Sequence, residues 1–350
     1  MTNIETLDKI DFKKLDPTGM IHHIEAFPKL CRDAFDEAKD FSVPPYYIKP
    51  KKIVFLGMGG SGQTLEIIKD LLYESDLILE CVHNYIIPGW VDKDTLVIAS
   101  SYSGNTEEVL TGFIAAYEKE AKLLAITTGG KLEILAKKYN APVFTFGYKS
   151  VPRAAFPYLF IPLLLILRKL GHLEFKDAEM QTMFDLLDNS SQKYLASVSV
   201  FQNPAKILAQ KIKGKIPVIY ATEKLHGVGM RIKAAMNENG KNFSFNEDMP
   251  ELNHKSLEGL ANPTGMVYIM SLESNFEYDR NQIRENVTAA VLAKYKIPVE
   301  RIKFIKAVDR LAEIFLHVMF GDFVSYYLAI LNNANPGIND NVDYLKSRLG

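Results

Sequence analysis

Cysteine is scarce in this chain: 350 residues contain two, Cys31 and Cys81. That excludes a disulfide framework and a thiolate metal site, and makes a reducing cytoplasm the default compartment. An excess of charge of one sign is also missing. Lys and Arg number 41 against 42 Asp and Glu, a formal net charge of -1. A broad nucleic-acid footprint would need a basic surplus, so no nucleic-acid partner is expected. Long apolar runs are lacking too. The most apolar stretch, Ala154–Leu167, holds Pro157 and Pro162 and falls short of the roughly 20 residues that span a bilayer. It reads as a buried helix between layers, and no membrane partner is expected. Met1–Asp16 is polar and charged, without the apolar core of a signal peptide. No His-Glu-x-x-His or Cys/His cluster marks a metal.

What is present is a soluble, two-domain composition, 47% hydrophobic and 24% charged. Apolar runs at 52–56, 77–82, 95–100, 123–127 and 142–146 read as strands, with helical spacing between them, as at Val109, Phe113, Ala116 and Tyr117. After two long helical patterns (about 154–171 and 178–198) the alternation resumes. Strands are expected at 217–222, 266–272 and 302–305, and helices near 226–238, 280–295, 308–332 and the C-terminus. Continuously apolar strands separated by helices predict α/β architecture with parallel sheets covered on both faces. Ligands bind such sheets beyond the carboxyl ends of the strands.

Two turns lie there. Gly57-Met58-Gly59-Gly60-Ser61-Gly62 follows the first strand, and Ser101-Tyr102-Ser103-Gly104-Asn105-Thr106 follows the third. The free amides and dipole at a helix N-terminus attract phosphate. Gly60, Ser61, Ser101, Ser103 and Thr106 are therefore the candidate phosphate-binding residues. A rival reading is open, because the first turn also fits a dinucleotide fingerprint with Glu80 as the ribose acid. A bland one is open as well, in which Thr106 merely caps its helix. Further on, Glu238 within Asn237-Glu238-Asn239 and His254 within Pro250-Glu251-Leu252-Asn253-His254 supply one carboxylate and one imidazole. A phosphate cradle with an acid/base pair suggests proton transfer on a sugar phosphate.

Met58–Gly62, Ser101–Thr106 and Pro152-Arg153-Ala154-Ala155 together resemble the sugar isomerase (SIS) domain family. Adding Asn237–Asn239, Pro250–His254 and Leu345-Lys346, the ordered set resembles its bifunctional phosphoglucose/phosphomannose isomerase branch, from residue 51 to the C-terminus. The resemblance implies two SIS subdomains with parallel, flavodoxin-like sheets, placed at 37–152 and 153–350 after an N-terminal segment 1–36. It also implies a cofactor-free aldose–ketose isomerase acting through a cis-enediol, and a homodimer with shared active sites. Glu238 would be the base, His254 of a second copy and Lys346 would open the sugar ring, and Arg153 would face the enediolate. In Asn335-Pro336-Gly337-Ile338-Asn339 the chain departs from the branch's Asp-Pro-Thr-like run at the sugar end of the site. That departure bears on mannose 6-phosphate, and leaves glucose 6-phosphate and fructose 6-phosphate as the expected pair. A non-catalytic sugar-phosphate sensor is the other class of reading; it would need no acid/base pair.

Overall fold

The computed structural model describes residues 4–262 and 265–349. It falls into two compact units, Phe27–Asp185 and Met1–Ala26 joined with Leu186–Gly350. Helices α1 (Phe12–Leu15) and α2 (Met20–Glu25) open the chain and belong to the latter.

The Phe27–Asp185 unit starts with α3 (Phe27–Ala38) and carries five strands: β1 (Lys52–Leu56), β2 (Ile78–Val82), β3 (Thr95–Ser101), β4 (Lys122–Thr127) and β5 (Val143–Thr145). All pairings are parallel, in the order β2-β1-β3-β4-β5. β3 is buried at every position, as a strand covered on both faces must be. Helices α4 (Gly59–Leu72), α5 (Glu107–Glu118) and α6 (Gly130–Lys138) form the crossovers. α5 buries Val109, Gly112, Phe113 and Ala116, a helical apolar stripe. Tyr117 was expected on that face but is about half exposed and stacks on Tyr139 with centroids 3.7 Å apart. The apolar stretch becomes α7 (Phe156–Lys169), buried at every residue from Phe156 to Leu167 and packed on α3 and α4. α8 (Asp177–Ser191) follows. The sequence-based boundary at 152/153 and the edge of the compact unit at 185/186 thus bracket α7.

The other unit has β6 (Ile216–Thr222), β7 (Phe245–Met249), β8 (Val267–Glu273) and β9 (Val299–Lys303), parallel in the order β7-β6-β8-β9. That order repeats the first four strands of the other sheet, the flavodoxin-like arrangement. Its helices are α9 (Pro204–Ile212), α10 (His226–Glu238), α11 (Asp279–Lys294), α12 (Arg310–Leu331) and α13 (Asp340–Leu349). β7 replaces what the sequence reads as loop: Phe-Asn-Glu-Asp-Met has no apolar run, and an edge strand paired only with β6 needs none. β9 is likewise an edge strand and lies three residues earlier than expected, with charged side chains outward. Among the described residues, α12 is the helix long and apolar enough to cross a membrane, yet its most apolar window is wholly buried within its unit. It is a core helix. Two of its acidic groups are partnered: Asp322 pairs with buried Arg231 at 2.8 Å, and Glu313 accepts from Ser274 Oγ at 2.6 Å. His317 is a packed helix residue. Its ring nitrogens lie 2.9 and 3.2 Å from the Glu313 and Ile302 carbonyls, and burial pulls its pKa down.

Candidate active site

The glycine turn joins β1 to α4, and the hydroxyl turn joins β3 to α5, on neighbouring strands. No side chain caps either helix: Met58 and Thr106 occupy the cap positions without making a cap hydrogen bond. Thr106 Oγ1 instead lies 2.8 Å from Ser101 Oγ, which also accepts from the Gly104 amide at 3.1 Å. The capping reading of Thr106 therefore fails. Ser61 ties the turns together, its buried Oγ accepting from the Tyr102 amide at 3.2 Å. Ser103 is exposed at the tip, its Oγ accepting from the Asn105 amide at 3.2 Å. Two helix N-termini and a hydroxyl cluster thus meet at the carboxyl edge of one sheet, which suits an oxyanion.

Sequence reasoning missed a third turn, Thr127-Thr128-Gly129-Gly130 after β4. The Thr128 amide and hydroxyl both donate to the Tyr102 carbonyl, at 3.1 and 2.7 Å. Gly104, at φ +65°, lies so close that an added Cβ would collide with the Gly129 carbonyl. Its signal was the same Thr/Gly composition at the same end of the adjacent strand. Arg153 sits in a short 3-10 helix, Pro152–Ala155, and is buried. The Pro152-Arg153 backbone packs against Gly60, where a Cβ would lie 3.2 Å from the Arg153 nitrogen. Tyr102 leads to it: its hydroxyl donates to the Tyr148 carbonyl at 2.9 Å and accepts from the Ser150 amide at 2.8 Å. The structure therefore brings Gly60, Ser61, Ser101, Thr106 and Arg153 into one neighbourhood. Glu80, the acid of the dinucleotide reading, points outward two residues before β2 ends; the residue just past that strand is His83.

In the other unit Glu238 is the last residue of α10 and is partly buried. Asn339 Nδ2 donates to Glu238 Oε2 at 3.1 Å. Lys241 Nζ donates to the Glu238 backbone carbonyl at 2.5 Å and to the Ile338 carbonyl, so two elements are laced beside the carboxylate. Gly240 follows the helix but does not take the left-handed conformation common at such ends. That conformation belongs to Lys241, at φ +49°, while Gly240 is required by its closeness to the Met236 carbonyl, 2.6 Å from where a Cβ would be. Asn335–Asn339 is itself held: Asn335 Oδ1 accepts from the Gly337 amide at 2.9 Å and from Thr18 Oγ1 at 3.4 Å. His254 ends a 3-10 turn, Glu251–His254, and is exposed. Lys346 is exposed on α13, a helix with no buried residue. The structure joins Asn339 to Glu238, and leaves His254 and Lys346 facing solvent in the single chain.

This chain is 34% identical over 335 residues to the bifunctional phosphoglucose/phosphomannose isomerase of Caldicellulosiruptor bescii, covering 94% of this chain and 98% of that protein. It is 30% identical to the enzyme of the same name from Aquifex aeolicus, covering 90% and 93%. The chain belongs to the bifunctional phosphoglucose/phosphomannose isomerase family. Residues 201–349 match the bacterial phospho-glucose isomerase C-terminal SIS domain. A hypothetical protein from Thermus thermophilus has a similar fold, with a TM-score of 0.70 at 15% identity over 95% of this chain and 90% of that one.

Within this family member the two sheets carry opposite chemistry at their carboxyl edges. Where the first presents glycine and hydroxyls, the second presents Glu223 after β6, Glu273 at the end of β8 and Glu277 beyond it. Asn281 Nδ2 donates to Glu223 Oε2 at 3.0 Å and to Glu277 Oε1 at 3.1 Å. Glu285, 4% exposed, lies in the same acidic group, and burial, reinforced by Glu273 and Glu277 and opposed by Lys303 and Arg301, pushes its pKa up to about 8. Such an edge suits an anion less well than the glycine and hydroxyl turns of the first sheet do. Among the described residues, no group of three or more His, Cys, Asp or Glu is arranged to hold a metal ion.

Proposed function

We propose that the chain interconverts glucose 6-phosphate and fructose 6-phosphate by proton transfer through a cis-enediol. The observation that carries this reading is the set of tied turns on the first sheet, with two uncapped helix N-termini and buried Arg153 beside Gly60. Gly60, Ser61, Ser101, Ser103 and Thr106 take the phosphate. Glu238 removes the C2 proton of the aldose and returns it to C1, and the C1–C2 enediol forms between the two steps. Asn339 holds one oxygen of that carboxylate and so orients it. Arg153 balances the negative charge that grows on the enediolate oxygen. His254 protonates the ring oxygen during opening, and Lys346 assists there.

The exposure of His254 and of all α13 in one chain supports a homodimer in which a second copy uses the histidine. We read the protein as cytoplasmic, with roles in glycolysis and gluconeogenesis. Mannose 6-phosphate is a further substrate only if Asn339 and its neighbours admit the epimer at C2. The test is a coupled assay for glucose 6-phosphate released from fructose 6-phosphate, repeated with mannose 6-phosphate. Absence of turnover with both, in folded protein, would sink the reading. So would activity that a chelator abolishes and zinc restores.

A further inference from the structure

His83 lies just past β2, beneath the glycine turn, and no motif marks it. Its Nδ1 is 2.6 Å from the Gly57 carbonyl oxygen and its Nε2 is 2.7 Å from Glu66 Oε1. Gly57 begins the turn, and Glu66 stands on the second turn of α4, so the ring spans the turn from its first residue to its helix. Gly62 is shaped around it, since a Cβ there would come within 3.0 Å of the imidazole. The same Gly62 amide closes the turn by donating to the Met58 carbonyl at 3.1 Å.

The proton count decides the chemistry. A carbonyl oxygen only accepts, so Nδ1 must carry a hydrogen. An ionised carboxylate only accepts as well, so Nε2 must carry one too. The alternative is a neutral ring facing a protonated Glu66. In either arrangement the pair holds one proton more than neutral imidazole plus carboxylate, and the two sites titrate as a unit. Without that proton one short contact sets a lone pair against an oxygen. The charged and titratable groups around the ring are few. From α4 come Glu66, whose hydrogen bond raises the His83 pKa, and Lys69, which opposes it. β2 adds Cys81, whose thiol burial keeps neutral. Arg153 lies across the turn against Gly60.

We propose that His83, protonated between Gly57 and Glu66, is the positioning residue that keeps the glycine turn in its phosphate-binding shape. It touches no substrate, and acts through the direction of the turn's amides. This inference rests on the reading of that turn as the phosphate site. Its loss weakens substrate binding while sparing the proton transfer, because a remote phosphate contributes largely uniform binding.

The test measures KM and kcat for fructose 6-phosphate, and the inhibition constant of inorganic phosphate, in wild type, His83→Ala, His83→Arg and the Ser101→Ala/Ser103→Ala double variant. His83→Ala should raise KM and the phosphate inhibition constant about tenfold with kcat within about twofold. His83→Arg, a fixed cation with donors at both ends, should recover most of that loss. In wild type, KM should rise from neutral towards alkaline pH as the proton leaves, and in His83→Arg that rise should be absent. Circular dichroism establishes folding, and His83→Arg against wild type carries the test if His83→Ala does not fold. An unchanged KM in the serine double variant would overturn the phosphate site itself. A raised KM there, with wild-type KM and pH dependence in the His83 variants, would overturn only the role of His83.

Discussion

Glu285→Gln should stabilise the protein at alkaline pH and do little in acid. Glu285 is 4% exposed, and its pKa rises from 4.5 to about 8, through burial first and then Glu273 and Glu277. Between those values the native state keeps a proton that the unfolded chain has released, so stability falls as pH rises through that window. Each tenfold change in acidity is worth about 1.4 kcal/mol, so the full displacement amounts to at most about 5 kcal/mol by pH 9. Lys303 and Arg301 already oppose it, and relaxation of the charged state reduces it further. A gain on the order of 2–4 kcal/mol at pH 9, or roughly 5–10 °C in melting temperature, is the working expectation. Glutamine keeps the shape and size without the titration. Thermal melts of both proteins from pH 4 to pH 9 make the check: the curves should meet at the acid end, separate progressively from about pH 5, and run parallel again above about pH 8. Wild-type melting that stays flat from pH 6 to pH 9, with no advantage for the variant, would refute the reasoning. It would mean that Arg301 and Lys303 hold Glu285 as a compensated anion.

Asn339→Ala removes the 3.1 Å donor that orients Glu238 and should lower kcat about tenfold with KM within about twofold; steady-state kinetics showing the opposite split would move Asn339 to the binding side. Glu238→Gln and His254→Ala should each be nearly inactive on cyclic sugar. If sites are shared between copies, mixing the two variants with subunit exchange should restore about a quarter of wild-type activity, because half the dimers are mixed and each has one intact site. Mixtures with proven exchange that stay inactive would place base and histidine on the same chain.

What could be read before the structure follows from how each element is buried. β1 and β3 are covered on both faces, so their sequences are continuous apolar runs and both appear where expected. β7 and β9 are sheet edges whose exposed sides are charged or polar, and composition alone makes them loop or shifts them. α9 escaped because its apolar face is only Ala205, Leu208, Ala209 and Ile212 between polar neighbours. The hydroxyl turn was legible because serine and glycine in that number at a strand end are unusual. His83 was not, since its meaning comes from the Gly57 carbonyl 26 positions away. Asn339 was singled out as part of an unusual run, but its bond to Glu238 depends on a loop pinned by Thr18, which no local pattern reports.

The two compact units differ in how they can be assembled as the chain is made. Phe27–Asp185 is one uninterrupted stretch, whose strands are joined by short crossovers, and it can fold as soon as that stretch is available. The other unit joins the earliest residues to the latest. Asp8 bonds the Val200 amide at 3.0 Å and Lys206 Nζ at 3.2 Å, Glu25 accepts from the Ala196 amide at 2.9 Å, and Thr18 reaches Asn335. Their shared core, α12, ends only at Leu331. Such distant pairings close slowly, and the leading segment must wait, unburied, while an entire unit folds behind it. During synthesis the completed unit separates the two halves of the unfinished one, and the apolar α12 is the segment a chaperone would meet in the interval. Arrested nascent chains long enough for Asp185 to have left the ribosome, ending near residue 230, should therefore show a protease-resistant fragment covering Phe27–Asp185 and a cleavable leader. Protection of the leader should arrive abruptly once α12 has emerged.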